Sequence, residues 1–229
     1  MSGSPPHAWG RYLKKLNKSF SFYQVFGEMK SKRSFLLLPD GTEVGRRRVL
    51  LHSCCAPCSA AIVECLLRHG VRPTVFFSNS NIYPDEEYLI RRREIERFLA
   101  SQEVPFVEDE YDYAHWRQAM RGLEGEPERG SRCSRCFRYR LTRAAAYAAA
   151  HGFDLLTTTL ASSRWKNLEQ INAAGCEAVE AFPSVTFWPQ NWRKGGLQER
   201  RNELLRLNGF YNQQYCGCEF SAERLQKDT

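Results

Sequence analysis

The sequence predicts an α/β protein built on a parallel sheet with helices on both faces. Beyond residue 45, short apolar or β-branched segments alternate with segments of helical periodicity, which is typical of this class. An apolar run that begins at Val49 leads directly into a predicted helix. Pro57 marks the start of this helix, because proline suits the first helical turn. Beyond a short strand at residues 34–39, five strands are expected, at residues 46–52, 71–78, 104–107, 154–160 and 185–188.

The first two helices carry clear start and stop signals. A helix over residues 60–67 ends at Gly70, and the next helix starts at Asp85, where acidic side chains meet the positive end of the helix dipole. The expected buried face of this second helix consists of Ile95, Phe98 and Leu99. Its arginines are expected to face solvent: Arg91, Arg92, Arg93 and Arg97.

The later helices are expected at residues 114–120, 133–151 and 197–207, and one more runs through Lys166 and Ile171. The long helix over 133–151 has one apolar face and is followed by a glycine that favours its termination. That face consists of Phe137, Leu141, Ala144, Ala145 and Ala148. A cysteine-bearing tail over residues 211–220 follows the last helix.

Positive charge is concentrated at the start of the chain. Residues 1–48 contain ten Lys or Arg and three Asp or Glu, which accounts for the whole net charge of +7. We therefore expect a basic N-terminal extension, residues 1–45, followed by one α/β domain, residues 46–229. A basic arm on a neutral domain favours a polyanionic partner such as RNA, although a solvated tail that aids solubility has the same composition.

Composition also narrows the class of protein. The apolar runs are much shorter than the ~20 residues of a membrane span, and no secretory signal is visible at Met1. We therefore expect a cytoplasmic protein with no membrane partner. Nine cysteines in a reducing compartment indicate metal or redox chemistry rather than a disulfide scaffold.

Two cysteine pairs follow predicted strands. Cys54 and Cys55 end the first strand, and Cys133 and Cys136 open the helix that comes after the third strand. The ends of parallel strands share one edge of a sheet, so the four thiols can converge. Such a set suits either a tetrahedral zinc ion or an iron–sulfur cluster. Adjacent ligands favour the cluster, whose separate iron atoms can each take one cysteine.

A third pair, Cys216 and Cys218, is separated only by Gly217. A disulfide at this spacing is strained and therefore easily reduced, which suits a redox relay. Two metal ligands or two unpaired thiols remain alternatives. Cys65, on the apolar face of the first helix, is expected to be a core residue.

These motifs together resemble the family of QueH-type epoxyqueuosine reductases, over about residues 49–221. Departures from the family pattern occur at Ser80, at Arg164 and at Asn212, and residues 1–45 do not resemble the family. The segments that carry the resemblance are Leu51-His52-Ser53-Cys54-Cys55-Ala56-Pro57-Cys58, Asn79-Ser80-Asn81-Ile82-Tyr83-Pro84 with Glu87-Tyr88 and Arg91, Tyr111-Asp112 with Trp116, Arg132-Cys133-Ser134-Arg135-Cys136 with Arg140-Leu141, Gly152-Phe153-Asp154, Thr157-Thr158-Thr159-Leu160, Lys166-Asn167 and Tyr215-Cys216-Gly217-Cys218.

The resemblance implies a Rossmann-like fold of the adenine-nucleotide hydrolase-like type. It also implies an activity, in which epoxyqueuosine at the wobble position of a tRNA anticodon is reduced at its epoxide to give queuosine. The electrons would come from an unidentified donor. Cys216 and Cys218 would be the redox-active pair. Cys58 would bind an additional iron or lie beside the cluster. The ligands of an implied [4Fe-4S] cluster would be Cys54, Cys55, Cys133 and Cys136.

Epoxide removal also needs a group that assists the departing oxygen. Asp112, Tyr113 and His115 are candidates by position, and Lys166 is a candidate for contact with substrate or phosphate. Two other classes compete with the reductase. A tRNA thiolase or ATP pyrophosphatase would need a glycine-containing phosphate loop after the first strand, where Ser53 is followed by cysteines. A zinc-stabilised RNA-binding module would hold zinc without labile sulfide.

Overall fold

The described part of the chain forms one sheet of five parallel strands. The computed structural model describes Leu37 and residues 41–222. The strands are β1 (Val49–Ser53), β2 (Thr74–Phe77), β3 (Phe106–Glu108), β4 (Leu155–Thr158) and β5 (Thr186–Phe187). They lie in the order β3-β2-β1-β4-β5, and each neighbouring pair is parallel. The predicted α/β fold with a parallel sheet is confirmed, whereas most of the predicted extension lies outside the described residues.

The helices pack in two groups against this sheet. They are α1 (Ala56–Arg68), α2 (Asp85–Ser101), α3 (Tyr113–Ala119), α4 (Ser131–Ala150), α5 (Leu168–Val179) and α6 (Leu197–Leu207). Helix α1 contacts α2 and α6, whereas α4 contacts α3 and α5. Because the chain moves outward from β1 in opposite directions, right-handed crossovers place α1 and α4 on opposite faces.

Strand β1 lies at the centre of the sheet, where the order of the strands changes direction. Its neighbours are β2 on one side and β4 on the other, so that Leu51 is paired with both Val75 and Thr157. Every residue of β1 is buried. In open parallel sheets, ligands bind beyond the carboxyl ends of the strands at this switch point, and here that position is occupied by Cys54.

Some predicted element boundaries differ from the observed ones for local reasons. Strand β4 ends at Thr158, since its side chain accepts a hydrogen bond from Leu160 N and a 3-10 turn (Thr159–Ser162) follows. Helix α5 begins only after Asn167, whose side chain accepts hydrogen bonds from the first turn. Lys166, which was predicted to be helical, therefore lies in a loop.

The predicted apolar faces of α2 and α4 are buried, and so is Cys65. The prediction for Arg91 is wrong, because this residue is only 2% exposed. Its guanidinium lies 2.6 Å from the carboxylate of Glu87, one helical turn earlier. Arg93 and Arg97 are exposed, as expected. No helix in the described part of the chain has the length and apolar character that a membrane span requires.

Candidate active site

Three cysteine sulfurs lie together where β1 passes into α1. The sulfurs of Cys54, Cys55 and Cys58 are all within 4.8 Å of one another, and those of Cys54 and Cys55 are 3.7 Å apart. Cys55 is the extended N-cap residue of α1, and Pro57 follows in the first turn. Cys58 lies one helical turn beyond the cap, which brings its side chain back towards the end of the strand. We call these three residues the cysteine triad.

Hydrogen bonds fix the backbone on both sides of the triad. The Ser59 hydroxyl donates to the Cys55 carbonyl at 2.7 Å and lies 2.6 Å from the hydroxyl of Ser53. The Asn79 amide donates to the Ser53 carbonyl at 2.8 Å, and the Cys54 N–H donates to Thr159 Oγ1 at 3.3 Å. The triad is thus tied to the ends of β2 and β4 as well as to its own strand.

A neutral histidine and a buried arginine lie beneath the triad. His52 Nε2 donates to the Ser78 carbonyl at 3.2 Å, and its Nδ1 accepts from Thr158 Oγ1 at 2.8 Å. Burial, aided by the charge of Arg140, lowers the pKa of His52 to about 3, so the ring stays uncharged at neutral pH. Arg140 donates to Ser78 O and to Asn79 Oδ1, and it supplies a positive charge below the thiols.

The triad is arranged to hold a thiolate. Hydrogen bonds from Cys55 and Cys58 hold the pKa of Cys54 well below its usual value, and the charges of Arg140 and Lys166 act in the same direction. The hydrogen bond to Cys54 raises the pKa of Cys58 to about 11, and burial raises the pKa of Cys55. One sulfur therefore ionises readily, while further ionisation needs an added positive charge such as a metal ion.

The second thiol pair lies across the same cavity on the segment Cys216-Gly217-Cys218. Lys166 Nζ donates to Cys216 Sγ at 3.3 Å. A hydrogen bond from Cys218 lowers the pKa of Cys216, and Lys166 adds to this effect. The same hydrogen bond raises the pKa of Cys218. Cys216 is therefore the thiolate of the pair, and Cys218 holds the proton.

Arg91 holds this segment in place from below. Its guanidinium donates to the carbonyl of Cys216 at 3.2 Å and to that of Tyr215 at 3.3 Å. The Gly217 carbonyl accepts from Tyr83 N–H at 2.8 Å. Gly217 has a φ of +111°, and a Cβ there would lie 3.0 Å from Arg91 Nη1. The tight fit requires glycine, because a side chain would strain the backbone and press on the arginine.

The two cysteines of α4 are placed between these groups. Cys133 lines the cavity with the triad and with Cys216, and its sulfur accepts from Arg129 N–H at 3.3 Å. Cys136 is buried against Trp116 and Met120, and Cys218 packs on the same cluster. Neither of the two α4 sulfurs belongs to the close group of the triad within residues 41–222, although they were predicted to share one centre with Cys54 and Cys55.

The cavity that joins these residues has a volume of about 750 Å³. Its wall contains the cysteine triad, Cys133, Lys166 and both thiols of the second pair, Cys216 and Cys218. Asp112 is not among the described residues that line it. The carboxylate of Asp112 accepts the N–H of His115 at 2.9 Å and caps α3.

Sequence reasoning assigned no structural role at this site to two of its residues, although both belong to the segments that carry the family resemblance. Arg91 was hidden in a run of arginines, although Glu87 four residues earlier is a signal for an ion pair on the helix. Arg140 carries no local signal of its role beneath the triad. Cys58 was predicted to bind an additional iron or to lie beside the cluster, and the structure places its sulfur in the triad, one helical turn beyond Cys55.

Comparison with known proteins places the chain in a family. A family model described as "Epoxyqueuosine reductase QueH" matches residues 49–224. The chain is 45% identical over 193 residues to the epoxyqueuosine reductase QueH of Acinetobacter baylyi, covering 84% of this chain and 87% of that protein. It is 46% identical to the one from Haemophilus influenzae, with 85% and 78% covered, and 34% identical to the one from Thermotoga maritima, with 78% and 93% covered.

The fold and the site define an α/β protein with a thiol-rich cavity at the carboxyl end of its parallel sheet. The chain belongs to the epoxyqueuosine reductase QueH family. The resemblance inferred from the motifs is thereby confirmed. The triad offers only sulfur donors beneath a partly buried cavity, and such soft ligands suit zinc or iron–sulfur centres, so the residues fit a metal centre.

Proposed function

We propose that this protein reduces the epoxide of epoxyqueuosine at the wobble position of a tRNA anticodon and so forms queuosine. The observation that carries the proposal is one cavity that brings the cysteine triad together with a second thiol pair beside Lys166. A cavity of about 750 Å³ is in the range that accepts a modified nucleobase. Membership of the family supports the choice of substrate.

The thiol pair and Lys166 together can supply the electrons and protons of the reaction. Conversion of an epoxide to an alkene breaks two carbon–oxygen bonds, takes up two electrons and two protons, and releases water. Oxidation of the Cys216 thiolate and the Cys218 thiol to a disulfide gives up two electrons and one proton. The Lys166 ammonium, which lies 3.3 Å from Cys216 Sγ, supplies the second proton, so the two half-reactions balance. An external electron donor must then reduce the disulfide for the next turnover.

Lys166 has two tasks in this scheme. Its ammonium group stabilises the Cys216 thiolate at 3.3 Å, and it faces the cavity, where it can donate a proton to the departing oxygen. Asp112 stays the sequence-based prediction for a proton donor, although its carboxylate is engaged at the start of α3. Arg91 keeps the thiol pair in position by binding the carbonyls of its segment.

For the metal centre we keep the sequence-based proposal of a [4Fe-4S] cluster bound by Cys54, Cys55, Cys133 and Cys136. Cys58 would bind an additional iron. A bound cluster would supply electrons one at a time. The 3.7 Å between the sulfurs of Cys54 and Cys55 also matches the edge of about 3.8 Å between two thiolates on one tetrahedral ion. Iron with acid-labile sulfide supports the cluster, whereas stoichiometric zinc without sulfide contradicts it.

We further propose that residues 1–45 form a basic extension that contributes to tRNA binding, and that residues 46–229 form the catalytic domain. All of the net positive charge lies in residues 1–48. Removal of residues 1–45 should lower the slope of log tRNA affinity against log salt concentration by the equivalent of at least about one phosphate contact. The metal content should stay unchanged. Unchanged affinity and salt slope would show that the extension is only a tail. We place the reaction in the cytoplasm, with no membrane partner.

The direct experiment is mass spectrometry of tRNA nucleosides from a strain that lacks this protein, with and without the gene restored. We expect epoxyqueuosine in the first case and queuosine in the second. The purified protein, prepared without oxygen, should convert tRNA that bears epoxyqueuosine when a chemical reductant is added. An active metal-loaded protein that leaves the epoxide intact but turns over ATP would favour the competing pyrophosphatase class.

A further inference from the structure

A tryptophan stands at the mouth of the cavity with most of its surface in solvent. Trp165 is 65% exposed, and it lines the same cavity as the cysteine triad. It lies in the loop between the 3-10 turn and α5, next to Lys166. An aromatic ring that is exposed at a cavity offers its face for stacking with a ligand or an unpaired base.

The backbone of this loop is held on both sides of the ring. Arg129 Nε donates to the Trp165 carbonyl at 2.7 Å, and Arg193 Nη2 donates to the Lys166 carbonyl at 2.7 Å. The guanidinium of Arg164 lies 4.7 Å from the centre of the Trp165 ring. The ring is therefore presented on a fixed backbone, with a cation beside it and the remaining surface open.

The charge around the cavity is strongly positive. Glu128 is the only acidic residue among the described lining residues, and its carboxylate already accepts a hydrogen bond from Ser221. The basic lining residues are Arg91, Arg129, Arg132, Arg164, Lys166 and Arg201. This charge favours an anionic partner. Arg129 and Arg164 are the two basic lining residues whose side chains are exposed.

We propose that Trp165, together with Arg164, is a stacking platform for an unpaired base of a single-stranded RNA loop whose neighbouring nucleotide enters the cavity. This inference rests on the proposed function, and it adds which surface receives the loop. Unpaired bases stack on aromatic rings and arginine planes, and their backbone follows positive charge. A paired duplex offers no free base face, so the platform selects a loop over a helix.

The test measures RNA binding without turnover. The full-length protein is titrated with an unmodified RNA stem-loop that carries an anticodon loop and with a duplex of the same length. Trp165→Ala should weaken stem-loop binding about tenfold, which is within the cost of removing a base-stacking aromatic, and should leave duplex binding unchanged. Trp165→Phe should keep most of the affinity, because the ring is retained.

The matched control is Leu207→Ala. Leu207 is 69% exposed, which is close to the exposure of Trp165, but it is not one of the residues that line the cavity. This variant should bind both RNAs as the parent protein does. A 2-aminopurine placed beside the wobble nucleotide adds a direct signature, since stacking quenches its fluorescence on binding to the parent protein and not on binding to Trp165→Ala.

Equal losses for stem-loop and duplex would overturn the stacking role, and so would unchanged stem-loop affinity in Trp165→Ala. Failure of the proposed function has a different signature. In that case the protein would leave epoxyqueuosine in tRNA unreduced, whatever the binding experiment shows. Because the binding assay uses RNA without the epoxide, the two results are independent.

Discussion

The two thiol groups of the cavity are held by different means. The cysteine triad begins directly after the last residue of the central strand β1 and ends in the first turn of α1, so that a regular element flanks it on each side. The segment Cys216-Gly217-Cys218 follows α6 in a stretch without strand structure, and its position depends on side chains from elsewhere. The triad is therefore part of the regular scaffold, whereas the segment Cys216-Gly217-Cys218 is attached to that scaffold by contacts with other elements.

This difference matches the chemistry proposed for each group. A metal centre needs ligands that hold one geometry, and rigid elements provide it. A pair that alternates between dithiol and disulfide must change its geometry at every turnover, because the two sulfurs move to bonding distance. A segment held by a few hydrogen bonds permits that motion and returns to one position. The comparison therefore predicts that damage to the two groups will have separate consequences.

The largest effect is expected for Cys55→Ser, which should lose both bound metal and activity. Cys55 is the buried cap of α1 and one of the three clustered sulfurs, so its loss removes a ligand that no neighbour can replace. Iron and sulfide assays on protein prepared without oxygen measure the effect, beside conversion of tRNA that bears epoxyqueuosine. Cys176→Ser is the matched control, since Cys176 is an exposed thiol outside the cavity lining.

A second variant, Cys133→Ser, tests which cysteines bind the metal centre. Loss of iron in this variant supports the four-cysteine cluster, because Cys133 lies in the cavity wall but outside the triad. Full retention of metal would assign the centre to the triad with Cys58 as its third ligand.

The second largest effect is a loss of activity without a change in metal content. Cys218→Ser should abolish queuosine formation while iron and sulfide stay at the parent level, because the disulfide can no longer form. Loss of iron from this variant would move the pair from a relay to metal ligands. Full activity would remove it from the mechanism.

The sequence predicts the scaffold well and the attached segment poorly. The alternation of strands and helices and the strand-to-helix turn at Cys54 are local patterns, and the structure contains both. The contact between Lys166 and Cys216 joins residues 50 positions apart, and that between Arg91 and Tyr215 joins residues 124 positions apart. No local periodicity encodes such contacts, so Arg91 looked like one more arginine of a solvated face.

A third prediction tests the electrostatic support of the pair. Lys166→Met should lower the rate of epoxide reduction about 100-fold without loss of metal, since it removes both the partner of the Cys216 thiolate and a proton donor. Cys216 should also be alkylated more slowly at neutral pH. Lys166→Arg keeps the charge and should recover part of the rate. Equal rates for the Met and Arg variants would show that the charge is not used.

The last and smallest effect on chemistry is expected for Arg91→Gln, compared with Arg92→Gln. Arg91 is buried with Glu87, so its loss leaves an uncompensated buried carboxylate and should lower the free energy of unfolding by about 3–5 kcal/mol. Arg92 pairs with Glu96 and Glu108 at a more exposed position, where such pairs contribute at most about 1 kcal/mol. Denaturant unfolding of both variants measures the difference.

The activity of Arg91→Gln then distinguishes positioning from stability alone. At a temperature where the variant is fully folded, we expect a several-fold lower rate of epoxide reduction with unchanged metal content, because the carbonyls of Tyr215 and Cys216 lose their donor. Arg92→Gln should react at the parent rate. A folded Arg91→Gln protein with the parent rate would contradict the attachment model, because it would show that the thiol pair keeps its place without the arginine.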